Sequence, residues 1–177
     1  MARRISLIVR GVVYAAGFFF ITAWLFPSLM NIRASTEFAL ESPLRALGIA
    51  PLLVGAAVVG WCFINFVTIG QGTPAPFDAP RQLVVAGPYR YVRNPMYLGG
   101  LLFLIGLAAL FAKFSMALLW YALALTVGIN LFVLFYEEPT LHRKFNGDYE
   151  QYCRNVRRWL PRLHPWKADK SAMAKAG

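Results

Sequence analysis

Four uncharged, largely apolar runs, 11–32, 46–77, 94–112 and 114–136, are separated by short segments that hold nearly all the charge. Each run is long enough for the roughly 20 residues a helix needs to cross a bilayer core. The pattern predicts a first helix over 6–30, with Pro27 near its outer end, where a break costs little. A second helix, 46–68, carries Gly48, Gly55, Ala56, Ala57 and Gly60, small residues that let backbones approach closely in lipid. A third, 95–112, turns at Lys113-Phe114-Ser115 into a fourth that ends near Tyr136. So short a turn makes these last two antiparallel neighbours. Tyr97 and Glu137, about one turn in from either end, are therefore expected side by side.

The connecting segments carry their own signals. In 31–45, Ile32, Phe38, Leu40 and Leu44 alternate with charged positions, which suits a short interfacial helix. The stretch 70–93 is too rich in Gly and Pro for a helix and reads as turns and extended chain. Asn94-Pro95 suits a helix start, Asn as the cap and Pro in the first turn. Pro139 is expected to bend or restart the chain after the fourth helix. In 148–158, Tyr149, Tyr152, Cys153 and Val156 recur at i, i+3, i+4 and i+7, as in an amphipathic helix lying on a membrane and closing a pocket from below. Beyond Trp166 the chain is small, polar and basic, a composition that favours disorder. The expectation is an all-α polytopic membrane protein, four transmembrane helices plus a cytoplasmic amphipathic C-terminal helix, forming a single domain over 1–177 without internal repeats.

Composition agrees: 58% of residues are apolar and only 15% charged. The net charge of +10 raises the question of nucleic acid, but its distribution answers it. With both termini cytoplasmic, 15 of the 18 Lys and Arg residues fall inside, and only Arg33, Arg45 and Lys113 fall outside. That is the positive-inside asymmetry of a membrane protein, and nucleic-acid binding is set aside. Cys62 lies in an apolar run and Cys153 in the basic segment, on which topology no disulfide joins them. His142 and His164 lack partners at metal-ligand spacing, so no metal is expected. The opening Met-Ala-Arg-Arg resembles a signal peptide, but the following run is long enough to be a retained helix. Short loops and the lack of sorting signals favour a bacterial inner (cytoplasmic) membrane.

The candidate chemistry gathers at the boundaries. Gly87-Pro88-Tyr89-Arg90-Tyr91-Val92-Arg93-Asn94-Pro95-Met96-Tyr97-Leu98-Gly99 sets arginines and tyrosines against an apolar helix. Glu137-Glu138 stands at the far end of the next one. A carboxylate pair at a membrane edge is costly without a partner, so a functional role is the first reading and an ion pair with Arg90, Arg93 or Arg143 the second. Together with Glu137-Glu138-Pro139-Thr140-Leu141 and the segment 145–152, this stretch resembles the isoprenylcysteine carboxyl methyltransferase superfamily, which includes the phospholipid methyltransferases. The resemblance covers about Gln82 to Pro161.

It implies an integral membrane methyltransferase that uses S-adenosyl-L-methionine without a Rossmann domain. Cofactor contacts are then expected from Arg81, Gln82, Leu83, Val84, Tyr89, Asn94, Pro95, Met96, Tyr97 and Glu137. Glu138 or Arg90 is expected nearest the acceptor. Two departures from the family pattern matter. Asn94 replaces its histidine and cannot titrate, and Val133 stands where prenylcysteine-specific members carry an arginine for the substrate carboxylate. The expected acceptor is therefore a lipid or a small lipophilic molecule, and not a prenylcysteine carboxylate. Asn65 and Asn130, inside apolar helices, read first as interhelical hydrogen-bonding groups. Two other functions fit the same pattern less well, an NADPH-dependent reductase of the sterol-reductase-like type and a non-enzymatic membrane module.

Overall fold

The computed structural model describes residues 2–29, 46–73, 80–111 and 116–167. The loop expected at 31–45, the turn at 113–115 and the tail from 168 lie outside the described residues. Among those described, every regular element is helical and there is no strand. Helix α1, Ala2–Phe20, continues through a wide π-helical turn, Ile21–Leu25, into Phe26–Leu29. Helix α2, Ile49–Asn65, ends in a second π turn, Phe66–Gly70. A one-turn 3₁₀ helix, Gly87–Arg90, precedes α3, Pro95–Phe111. Helix α4, Met116–Phe132, runs through a third π turn, Val133–Glu137, into α5, Glu138–Asn155.

Three helical stretches are long and apolar enough to cross a membrane: Ile5–Leu29, Ile49–Gly70 and Trp120–Asn155. The apolar helix over Pro95–Leu110 is shorter. Large apolar side chains such as Phe135 and Trp24 stand exposed. This is what lipid, and not water, as the surrounding solvent permits.

Helices α2 and α3 are the closest-packed pair, and glycine is the reason. A β-carbon on Gly106 would lie 2.5 Å from the Leu52 amide nitrogen and 2.6 Å from the Gly48 carbonyl oxygen. One on Gly55 would lie 2.5 Å from the Gly99 carbonyl oxygen and collide with the Phe103 amide. The two backbones therefore touch directly, which maximises dispersion where no water expulsion drives association. Helix α1 rests against α2 through Gly11 and Phe63, and its Thr22 carbonyl accepts from the Tyr121 hydroxyl of α4.

Helix α5 is not straight. Asn146 has φ 41° and ψ −122°, which separates a first piece, 138–145, from a second, 147–155. The amphipathic face expected on a membrane surface is instead buried in protein. Tyr149, Tyr152 and Val156 pack with Leu83, Val85, Leu141, Phe145 and Trp166. A non-helical strap, 156–167, then runs back across the turn before α3. Its backbone is stitched there: Arg93 N donates to Arg157 O, Arg162 N to Tyr91 O and Trp166 N to Arg90 O, all at 2.9 Å.

Candidate active site

The cavity lies where the ends of α2, α3 and α4 meet the segment before α3 and both pieces of α5. It is a cleft partly open to solvent. One wall is aromatic and apolar, with Phe66, Leu83, Val84 and Tyr89; another carries Phe132 and Tyr136. Tyr149 and Tyr152 close it from the α5 side, and Arg93, Asn94, Tyr97, Glu137 and Glu138 supply polar groups.

The helix ends dictate these positions. Pro95 opens α3 and Leu98 N bonds back to the Asn94 carbonyl at 3.2 Å, so Tyr97 sits in the first turn. The π turn Val133–Glu137 brings α4 to the same level with Glu137 as its last residue. The Tyr97 hydroxyl donates to Glu137 Oε2 at 2.9 Å. The juxtaposition expected from an antiparallel pair is therefore present as a direct bond. π turns recur at functional sites because they swing a side chain out of α-helical phase.

The neighbouring carboxylate has different partners. Arg158 Nε and Nη2 grip Glu138 Oε1 and Oε2 at 2.8 and 2.7 Å, a two-pronged ion pair. Arg93 Nη1 stands 3.0 Å from Glu138 Oε1 and also donates to Cys153 Sγ at 2.8 Å. Adjacent helical residues point about 100° apart, so Glu138 meets both guanidinium groups while Glu137 faces the Tyr97 phenol. The ion-pair reading of the acidic pair thus holds for Glu138 with Arg93; its second partner, Arg158, carries no sequence signal beyond its charge. The bond to Glu138 raises the Arg158 pKa further.

Burial pushes the Tyr89 phenol well above its ordinary range, with neighbouring Cys62 adding to the effect. Tyr89 therefore stays neutral, and its carbonyl accepts from the Tyr152 hydroxyl at 2.7 Å. Asn94 Nδ2 donates to the Arg158 carbonyl at 3.3 Å. Buried Arg93 Nε has no hydrogen-bond partner among the described residues.

Of the residues expected at a cofactor site, Leu83, Val84, Tyr89, Asn94, Tyr97 and Glu137 line the cavity, and so does Glu138. Arg81 and Gln82 are exposed and lie outside the lining. Pro95 is buried in the helix start, and Met96 packs behind the wall against Cys62, Val84 and Tyr89. Arg90 turns to the strap, where its Nε donates to the Trp166 carbonyl at 2.8 Å. Phe66, Thr73, Arg93, Tyr149 and Tyr152 join the lining beyond the expected set. Tyr149 and Tyr152 carried a weak signal, as apolar positions on a helix expected to close a pocket, whereas Phe66 carried none beyond its place in an apolar run. Asn130 Oδ1 accepts from Trp159 Nε1 at 3.0 Å, so its partner stands in the non-helical strap and not on a neighbouring helix. Buried Asn65 leaves its Nδ2 without a partner among the described residues. No cluster of three or more His, Cys, Asp or Glu side chains that could hold a metal occurs among the described residues.

Comparison with known proteins places this geometry. No solved structure matches the chain. A curated relative, the nickel-cobalt-cadmium resistance protein NccN of Alcaligenes xylosoxydans xylosoxydans, is 27% identical over 122 residues. The match takes in 67% of this chain but only 56% of that protein. The model of the phospholipid methyltransferase family matches residues 44–148, more than half of the chain and the part that builds α2, α3, α4 and the acidic pair. The chain therefore belongs to the phospholipid methyltransferase family, within the superfamily of membrane methyltransferases that its arginine–tyrosine and Glu-Glu motifs resemble.

Proposed function

We propose that this protein is an integral membrane methyltransferase that takes its methyl group from S-adenosylmethionine and transfers it to a lipophilic or small acceptor. The observation that carries the reading is the Tyr97–Glu137 bond at the mouth of an aromatic cavity within the family-matched segment. S-adenosylmethionine supplies a methyl on a positively charged sulfur, and the side chains present suit such a group. Glu137, oriented by Tyr97, sets a carboxylate against a cation in a low-dielectric site. Phe66, Leu83, Val84 and Tyr89 form an apolar slot fitting a purine. The partnerless Arg93 Nε and the start of α3 offer donors to a carboxylate. Glu138 is neutralised by Arg93 and Arg158, which leaves Glu137 as the carboxylate free to offset the donor's charge. In-line displacement needs alignment and exclusion of water more than acid–base help, which a non-titrating Asn94 does not hinder.

The acceptor side is apolar. Val133 is fully buried, Phe132 and Tyr136 face the cavity, and no basic residue lies in 131–136 to meet a prenylcysteine carboxylate. A neutral or amine-bearing lipid, or a small lipophilic thiol or alcohol, fits this wall. In this reading Pro95–Leu110 is a short fourth span, the chain is one domain, and both termini and the cavity face the cytoplasm of a bacterial inner membrane.

Isothermal titration of purified protein with S-adenosylmethionine tests the proposal. Binding that Glu137→Ala abolishes supports it, and absence of binding by the unaltered protein overturns it. Lipid mass spectrometry of expressing cells, seeking a gain of one methylene, then identifies the acceptor.

A further inference from the structure

From Gln151 to Lys167 the chain has no acidic residue but carries Arg154, Arg157, Arg158, Arg162 and Lys167. Most of this stretch is the strap, which Pro161 and Pro165 keep out of helix. Its inner face is spoken for: Arg158 holds Glu138, Val156 is buried, and Trp166 stacks on Tyr152. None of the described residues covers its outer face. Leu163 is 93% exposed and Leu160 63%, between exposed Arg157, His164 and Lys167.

Depth decides what the outer face meets. The Trp159 indole reaches Asn130 on α4. Asn130 lies seven residues before Glu137, about 10 Å further into the span at 1.5 Å per residue. The strap thus leans against a membrane-crossing helix, where an exposed leucine faces acyl chains and an exposed arginine faces headgroups. Basic charge with interspersed leucines is complementary to an anionic bilayer surface.

We propose that the strap, 156–167, is an interfacial anchor for anionic phospholipid. Leu160 and Leu163 enter the acyl boundary, and Arg157 and Lys167 bind the phosphates. Seating it also holds Arg158 on Glu138, so the lipid surface supports one wall of the cavity. The proposal stands on strap geometry alone and is independent of which reaction the cavity performs.

Full-length protein in nanodiscs of phosphatidylcholine, with or without phosphatidylglycerol, tests it through deuterium uptake by the 156–167 backbone. Uptake in the anionic discs should be slowed about fivefold or more, since each basic side chain near such a surface contributes on that scale. High salt, Leu163→Asp and Arg157→Gln should each reduce the slowing, while α3 peptides exchange as before and report an intact fold. Equal uptake in both discs overturns the proposal. So does a lipid-dependent slowing that survives both substitutions with α3 unchanged.

Discussion

Tyr97 and Glu137 show how much one hydrogen bond can carry at a membrane edge. Removing the phenol oxygen in Tyr97→Phe leaves the ring in place and the carboxylate unoriented. Affinity for S-adenosylmethionine should fall about tenfold or more, the scale of one bond to a charged group, measured by titration calorimetry. Arg158 acts differently, because Glu138 keeps Arg93 when Arg158 is lost. With the Arg158 side chain about a third exposed, solvent screening moderates the loss. Arg158→Ala should lower stability by about 1–2 kcal/mol in a detergent thermal-shift assay. Arg158→Lys should recover only part of it, since an ammonium cannot reproduce the two-pronged grip.

Among the elements, α2 and α3 are held by contact between main chains. Gly55→Val forces side-chain atoms into the backbone of α3 and should destabilise by about 1–3 kcal/mol or more. Gly60→Ala, whose added β-carbon meets nothing within 4 Å, should leave the thermal-shift midpoint unchanged. The sequence lists both glycines as equivalent small residues, and only the facing helix distinguishes them. The same limit applies to α5. Its periodicity marked Tyr149, Tyr152 and Val156 as one apolar face but did not say whether lipid or protein covers it. The Tyr97–Glu137 encounter was legible because the sequence joins the two apolar runs by a short turn; the bond is present, although α3 and α4 are not among the closely packed helix pairs. The Arg158–Glu138 pair was not, because it depends on an aperiodic strap returning past a break in α5.

The whole molecule is organised around one end of its helices. Gly70, Pro95 and Glu137 end or begin their helices around the cavity, and the strap is bonded to the turn before α3 beside it. Among the described residues, Arg81, Arg90, Arg93, Arg157, Arg158, Arg162 and Lys167 lie in the strap and the segment before α3, and positive charge is retained on the cytoplasmic side. A fluorescent protein fused after Gly177 should therefore fold and fluoresce inside bacterial cells, whereas a periplasmic phosphatase reporter at the same place should stay inactive. The opposite pair of results would invert the proposed orientation and place the cavity on the wrong side for a cytoplasmic cofactor.

Asn146 holds a backbone shape that only glycine adopts at ease, in the link between the carboxylate-bearing and tyrosine-bearing pieces of α5. Such a conformation carries on the order of 1–3 kcal/mol of unrelieved tension. Asn146→Gly should release some of it and raise the melting midpoint, while Asn146→Val should lower it, because a branched side chain resists positive φ. This kink turns the chain without a loop, and Glu138 before it and Cys153 after it both reach the Arg93 guanidinium. The floor of the cavity and its acidic rim are thereby two arms of one elbow, and a change at the joint is felt by both.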